Sequence, residues 1–571
     1  MRSHVNRAVH HVVTGSGGRW LVCVALVVAL GACQSPQPPK TAAPARIGIR
    51  TVAGVAEFYD SVTGERFVPR GHNFVKYTFS PDPANGPGTF DMVLATNRYD
   101  EAEYRAEFEA MRALGYNVVR VMLETCGSLN CIYPEGATGR VLSGAYLDNV
   151  AAFLDLAAEE GMYVWLTSNT LPDIGYYGQK GYSGATDLIS ESQSHLLGES
   201  GMEAYREYFH DLFSGLIVRE ARLDRMFSFS IRNEHWYDLR EKPWTLSEGL
   251  VTPANGNTYD LSDDADRRRL AEESLIHFVD EMVKAIKDLA PTALVSVGFF
   301  APNEPIVWRH GDFKFVLTSR VLRESDADFF DLHSGPHPHG LSFDEVQTQY
   351  DAVSFDVKPL VMGELAAFKS VYPSLHLAAQ DAVDWQAASC LAGYDGWLTW
   401  HWDGDDLEGL WGAEGSVLGD ALAPALHPDP CAPVVVPNPN LAYQKPVSAS
   451  AELPGEPASN VVDGTESQWG SGADAPQYIE IDLGEDTLLG TVRLTVAQFP
   501  AGSTVHEIRG VSTSPATTLL HTFDQHTEEG EVLSVDLVVP QSVRYLRVTT
   551  TASPSWVSWR EVEVYAPGDA P

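Results

Sequence analysis
Residues 226–234 read Met-Phe-Ser-Phe-Ser-Ile-Arg-Asn-Glu, an apolar and small-residue run that stops at an amide and an acid. A run of this kind fits a strand of a parallel sheet buried on both faces. Counting it as Met226–Asn233, seven more share its character: Phe67–Phe74, Asn117–Leu123, Met162–Ser168, Ala293–Phe299, Asp328–His333, Pro359–Glu364 and Asp395–His401. Helical spacing lies between them. Tyr104, Phe108, Met111 and Leu114 recur every three or four residues and stop at Gly115; Val150, Phe153, Leu154 and Ala157 do the same before Gly161. A glycine just past the last periodic residue is a C-cap signal. Eight strand–helix units over about 350 residues predict an α/β fold, a (β/α)8 TIM barrel with enlarged loops. The alternative is a doubly wound open sheet. No Gly-x-Gly-x-x-Gly or P-loop follows the first strand, so nucleotide-binding folds lose support.

In such a barrel the working residues sit at the C-terminal strand ends. Those ends hold Arg120 on the second strand, Asn169 past the third, and Asn233 with Glu234 on the fourth. His333 ends the sixth, Glu364 the seventh, and Trp400 and His401 the eighth. Paired carboxylates on strands four and seven, with Arg, Asn, His and Trp around them, suit retaining glycoside cleavage. One acid protonates the leaving oxygen while the other attacks the anomeric carbon. The competing reading is a structural ion-pair network. Trp236, Tyr237, Trp402 and Trp411 follow strand ends closely, where stacking on sugar and packing under a loop are both open. His333, His337 and His339 lack the spacing of a metal-binding helix, and Asp403, Asp405 and Asp406 read as a solvated acidic loop before a calcium site.

Arg70-Gly-His-Asn73, Asn117-Val-Val-Arg120, Asn233-Glu234, Gly363-Glu364 and Trp397-Leu-Thr-Trp400, taken in order, resemble glycoside hydrolase family 5, the cellulase-like group of retaining (β/α)8 enzymes. The resemblance spans residues 48–425. It implies Glu234 as acid/base, Glu364 as nucleophile, Asn233 on the sugar 2-hydroxyl, Arg120 holding the nucleophile ionised, His333 orienting the acid/base, and Trp400 as a sugar platform. Asn169, Trp236 and Trp402 are expected to bind substrate with it, and no cofactor is required. Two positions depart from the pattern: His333-Ser334-Gly335 stands where the family has His-x-Tyr, and Ser168-Asn169 where it has a histidine. Asn303-Glu304-Pro305 copies the Asn-Glu-Pro signature literally but lies beyond the fifth strand, so Glu234 keeps the role.

The chain has 571 residues, more than one core, and a formal charge of −38 from 77 acids against 39 Lys and Arg. That acidity argues against nucleic acid or anionic membrane as the electrostatic partner and for a neutral polysaccharide or oligosaccharide. At the N-terminus Arg2, Arg7 and Arg19 precede the apolar run Trp20–Leu30, which is followed by Gly31-Ala-Cys33. This is a secretory signal over residues 1–32, and its end resembles the bacterial lipobox in which Cys33 is lipidated. A Pro-rich tether over 33–47 follows. The expected location is the outer membrane or cell surface, with the lipid as the membrane contact and a monomeric chain. Export makes the compartment oxidising. The local pairings Cys126–Cys131 and Cys390–Cys431 are the simplest, although spacing alone leaves other connectivities open.

Composition changes after Cys431. The Pro-rich segment 432–439 reads as a linker closing the barrel domain of 48–431. Tyr478–Leu483, Leu489–Val496, Val532–Val539, Val543–Thr550 and Glu561–Tyr565 then read as strands of a β-sandwich over 440–567. Asn440-Leu-Ala, Ala458-Ser-Asn-Val-Val-Asp463-Gly464, Trp469 and Ile481-Asp-Leu-Gly484 resemble a discoidin (coagulation factor 5/8 type C) domain, whose bacterial sugar-binding forms are carbohydrate-binding module family 32. The resemblance implies an all-β jelly-roll sandwich and a structural calcium, with Asp463 and Glu561 as candidate ligands. Trp469 is expected in its core, and His506, Phe499 and Trp556 in loops that can meet sugar. The reading is a retaining β-glycoside hydrolase acting on glucan or mannan. Its alternatives are a glycan-binding lipoprotein with an inactive barrel, and an adhesin acting through the discoidin domain.

Overall fold
The computed structural model describes residues 42–567 apart from 79–88, 92, 124–130, 135, 301–312, 337–340, 370, 373, 404–411 and 466. Residues 1–32, Cys33, Cys126 with its expected bond to Cys131, Asn303-Glu304-Pro305 and Trp411 lie outside the described residues. Eight parallel strands close into a barrel: β1 (Arg70–Asn73), β2 (Val118–Leu123), β3 (Tyr163–Ser168), β4 (Met226–Ser230), β5 (Val295–Phe300), β6 (Phe329–His333), β7 (Leu360–Leu365) and β8 (Gly396–Thr399). Neighbours in sequence are neighbours in the sheet, and β8 pairs with β1 to close the ring. The doubly wound alternative is therefore wrong: an open sheet has two edge strands, and this one has none.

Helices cover the outside, among them α1 (Glu101–Ala113), α2 (Gly144–Glu160), α3 (Glu199–Val218), α4 (Asp264–Lys287), α5 (Phe343–Tyr350) and α6 (Leu375–Leu391). Helix α1 starts where the Asp100 carboxylate accepts the Ala102 and Glu103 N–H groups, satisfying donors that lack an intrahelical partner. Its buried Tyr104, Phe108 and Met111 lie one helical turn apart and face the sheet. Truncating Phe108 there would cost about 3–5 kcal/mol. Helix α2 ends at Gly161, whose φ of 75° is the left-handed C-cap conformation.

The barrel interior is layered. At the bottom a hairpin, Ile47–Val52 with Val55–Asp60, inserts Phe58 against Phe227 and Phe329 at 5.2 and 5.1 Å. Above that plug Trp165 donates to Ser230 Oγ at 2.9 Å, and Ser230 meets Ser296 at 2.7 Å. The serines of the 226–234 run are thus inward-facing polar links in an otherwise apolar layer. Above Trp165, with its guanidinium carbon 5.4 Å from the ring centroid, lies Arg120.

The helix before β8 is tied to the segment that follows the barrel. Cys390 of α6 bonds Cys431, with Cα atoms 5.1 Å apart, and Gln380 of α6 exchanges hydrogen bonds with Val434 and Val436. The Pro-rich linker is thereby clipped to the barrel. Beyond it an all-β sandwich comprises β9 (Val447–Ala449), β10 (Trp469–Gly470), β11 (Gln477–Val496), β12 (Gly502–Val511), β13 (Thr518–Thr527), β14 (Val532–Ala552) and β15 (Ser558–Tyr565). Its core holds Trp469 and Trp559, both essentially unexposed. Strands β12 and β13 were not predicted. His506, expected in a loop, lies on β12, buried against Trp559 at 4.5 Å with Nδ1 3.0 Å from Thr550 Oγ1. It is a core residue and not a sugar contact. Phe499 and Trp556 are exposed between strands, at 87% and 55%. Among the described residues no helix is long and apolar enough to cross a membrane.

Candidate active site
The C-terminal ends of β2, β4, β6 and β7 bring Arg120, Asn233, Glu234, His333 and Glu364 together. Arg120 is fully buried. Its Nη1 donates to Glu364 Oε1 and to Asn73 Oδ1, each at 2.7 Å, and its Nη2 donates to Asn233 Oδ1 at 2.6 Å. Those bonds occupy the Asn233 oxygen, leaving its amide N–H groups as the donors it can offer. The Asn73 amide donates in turn to the carbonyls of Gly363 (2.7 Å) and Thr399 (2.8 Å).

His333 sits between the two glutamates. Its Nδ1 is 3.0 Å from Glu234 Oε1 and 3.3 Å from Glu364 Oε2, and its Nε2 is 3.0 Å from Asp331 Oδ2. Burial works against a charged ring, yet Asp331 and Glu364 overcome it and carry the pKa up to about 10. Glu234, His333 and Glu364 offer one atom each within 4.8 Å of one another. A ring with hydrogen on both nitrogens has no lone pair to give, so a metal would bind here only by displacing a proton from His333. Glu364 is pushed up to about 7, first by burial and then by Glu234 and Asp331, against the opposing charges of His333 and Arg120.

Asp331, which the sequence reading missed, is fully buried one layer below. It accepts the Gly363 N–H at 2.8 Å and lies 3.2 Å from Arg120 Nη2. Its signal was present: an acid inside an apolar strand, two residues before His333 and so on the same face. Gly363 is glycine for space, because a Cβ there would lie 2.1 Å from Asp331 Oδ1.

The expected substrate contacts divide. Trp400 and Trp236 are half-buried at the ends of β8 and β4, the latter with Lys314 Nζ 4.8 Å over its ring. Asn169 is half-buried just past Ser168, whose carbonyl accepts the Asn233 N–H at 2.8 Å. Trp402 is a correction: 2% exposed, it packs 4.7 Å from His72 and 6.4 Å from Tyr116 and belongs to the core. Tyr237 likewise packs under a loop, against Trp244. Asp403 pairs with Lys76 at 3.3 Å.

In the sandwich, Glu561 Oε2 accepts the Gly464 N–H at 3.2 Å, while the buried Oε1 has no hydrogen-bond partner among the described residues. Burial, then Asp463 and Glu563, push this carboxyl up to about 10. A carboxylate left so unsupported beside another acid fits the oxygen donor set of a hard cation such as calcium.

A parallel eight-stranded barrel with convergent carboxylates and a C-terminal β-sandwich is the class of protein that these features define. The profile of the F5/8 type C domain matches residues 446–562, so the sandwich is a domain of that kind. No curated protein matches the chain at a significant level. Among solved structures, chitosan-binding module 1 from a chitosanase/glucanase of Paenibacillus sp. IK-5 is 28% identical, covering 22% of this chain and 98% of its own, with a TM-score of 0.20. The family 32 carbohydrate-binding module of C. perfringens NanJ, solved with galactose, is 22% identical over 21% of this chain and 93% of its own, with a TM-score of 0.20. The exo-β-1,4-mannosidase Op5Man5 from Opitutaceae bacterium strain TAV5 is 15% identical, covering 66% of this chain and 58% of its own, with a TM-score of 0.40.

Proposed function
We propose that the protein is a retaining β-glycoside hydrolase of the family 5 type, acting on β-linked glucan or mannan, with a C-terminal sugar-binding module. One observation carries the reading: Glu234 and Glu364, from β4 and β7, present oxygens within 4.8 Å of each other while Arg120 salt-bridges Glu364. So short a separation suits double displacement, which needs carboxyl groups about 5–5.5 Å apart, and leaves too little room for the water of an inverting enzyme.

In this mechanism the pair holds one proton. The mechanism needs that proton on Glu234, and Arg120, 2.7 Å from Glu364, favours the charge on Glu364. Glu364 attacks the anomeric carbon as Glu234 protonates the departing oxygen, giving a covalent glycosyl-enzyme and a free leaving group. Glu234, now ionised, takes a proton from water that attacks the same carbon, which releases sugar with its configuration retained. Asn233 offers its amide N–H to the sugar 2-hydroxyl, and Trp400 and Trp236 offer faces for stacking.

Asp463 and Glu561 would hold the calcium of the C-terminal domain, which supplies charge compensation there and takes no part in the chemistry. The proposal extends to export and lipidation at Cys33, placing the enzyme at a bacterial outer membrane or cell surface. Wild-type protein should hydrolyse aryl β-glycosides with net retention, followed by NMR of the first-formed anomer. Product of inverted configuration would overturn the mechanism. Absence of turnover across a panel of β-glucans, β-mannans and their aryl glycosides would favour a glycan-binding barrel without activity.

A further inference from the structure
We propose that Asp331 is a positioning residue of this site: one layer beneath the two glutamates, its carboxylate fixes His333 and Arg120, the cations against which Glu234 and Glu364 are held. The inference rests on the reading of those glutamates as the working pair. Asp331 is built in on every side. It has no exposed surface, one oxygen accepts the Gly363 N–H, and the other, which makes no hydrogen bond among the described residues, lies at ion-pair distance from His333 Nε2 (3.0 Å) and Arg120 Nη2 (3.2 Å). Gly363 directly precedes Glu364, so the same carboxylate also holds the backbone from which that glutamate projects.

The consequence lies in the hydrogen on His333 Nε2. That nitrogen has two neighbours of opposite demand: the Asp331 oxygen, an acceptor, at 3.0 Å, and the Arg120 Nη2 donor at 3.4 Å. The Asp331 contact is an ion-pair distance without the alignment of a hydrogen bond, and the nearer negative charge favours hydrogen on Nε2 over acceptance from Arg120. Nδ1 then also carries hydrogen, aimed at Glu234 and Glu364 together. Without the Asp331 charge, the geometry favours the opposite state, with Nε2 accepting from Arg120 and the ring neutral. The ionisable groups facing the ring are Asp331 on its own strand, Arg120 on β2, Glu234 after β4 and Glu364 on β7. The buried phenol of Tyr394, before β8, feels the Asp331 charge from outside the site. The ring's upward-shifted pKa accords with this geometry.

The test uses the full-length protein with isotope-labelled histidine, His333 being assigned by its loss in His333→Gln. In the wild type the 15N shifts should report hydrogen on both ring nitrogens at pH 8. In Asp331→Asn, of nearly identical shape, the ring should be neutral at that pH. A neutral wild-type ring, or a variant ring that titrates with the wild type, would overturn the proposal. If Asp331→Asn does not fold, the wild-type spectrum alone decides. On aryl β-glycosides, Asp331→Asn should lower kcat/KM roughly 10- to 100-fold at pH 8 and markedly less at pH 5.5, where the ring is protonated in either protein. An equal loss at both values would mean a structural role only. Should no glycoside be turned over, the hydrolase reading fails while the spectra still judge Asp331.

Discussion
Arg120 and Glu364 stand 244 residues apart in the chain and 2.7 Å apart in space, a fully buried guanidinium against a carboxylate that is 13% exposed. The same guanidinium reaches Asn73, Asn233 and Asp331, so it is the common partner of side chains from four other strand ends.

Replacing Arg120 by Met should therefore cost about 3–5 kcal/mol of stability, because two carboxylates lose a buried counter-charge. It should also move the acid limb of kcat/KM to higher pH. Arg120 lowers the Glu364 pKa, and without it the ionised form appears later as pH rises. Urea unfolding and pH–rate profiles read the two effects. An unmoved acid limb would remove Arg120 from the electrostatics of Glu364.

Glu364→Ala should lower kcat on aryl β-glycosides by roughly 10⁴-fold or more, since the covalent intermediate cannot form. Azide added to this variant should restore turnover and give the glycosyl azide of inverted configuration. A retained azide product would assign Glu364 the other role.

Glu234→Gln should discriminate by leaving group. A dinitrophenyl glycoside, which needs no protonation to depart, should lose far less rate than a methylumbelliferyl or natural glycosidic substrate. Uniform losses across the series would contradict an acid role.

Glu561 carries a pH prediction of its own. Its folded pKa, up to about 10, stands above the unfolded carboxyl value of about 4.3, so its contribution is complete below about pH 4.3 and lost as pH rises toward 10. In chelator, melting of the F5/8 type C domain should fall across that window, and calcium should raise it most at the alkaline end. Identical melting with and without calcium at pH 9 would exclude the cation.

Cys390→Ser with Cys431→Ser should destabilise the barrel's C-terminal end by about 2–4 kcal/mol, as expected for losing the closure of a loop spanning 41 positions. Calorimetry on the double variant checks this. An unchanged transition would show that the clip between Gln380 and the linker suffices without the bond.

Much of this arrangement was legible before any coordinates. All eight barrel strands were: seven because strands buried on both faces are largely apolar, and β1, itself Arg-Gly-His-Asn, through the Phe67, Val68 and Phe74 that flank it; Glu234 and Glu364 follow from where such strands end. Trp402 and His506 misled for one reason: an aromatic or imidazole side chain after a strand, or in a polar run, looks the same whether the chain turns it outward or inward. Their direction depends on His72, Tyr116 and Trp559, which are remote in sequence. Strands β12 and β13 escaped because their outward positions are polar and partly exposed, as at Glu507, Arg509, Thr522 and Gln525. Asp331 was visible by register, but Arg120 and Gly363, which it meets, come from two other strands.

Asn73 gives the design a temporal meaning. Its amide lies at the seam where the first barrel strand meets the last two, gripping Gly363 and Thr399 while its oxygen steadies Arg120. During synthesis, Arg120 leaves the ribosome long before Asp331 and Glu364 exist to neutralise it. The nascent chain therefore carries an unpaired cation in what will become its interior. The ring can close only once Thr399 has been made, so a chain that ends before it lacks one side of this seam.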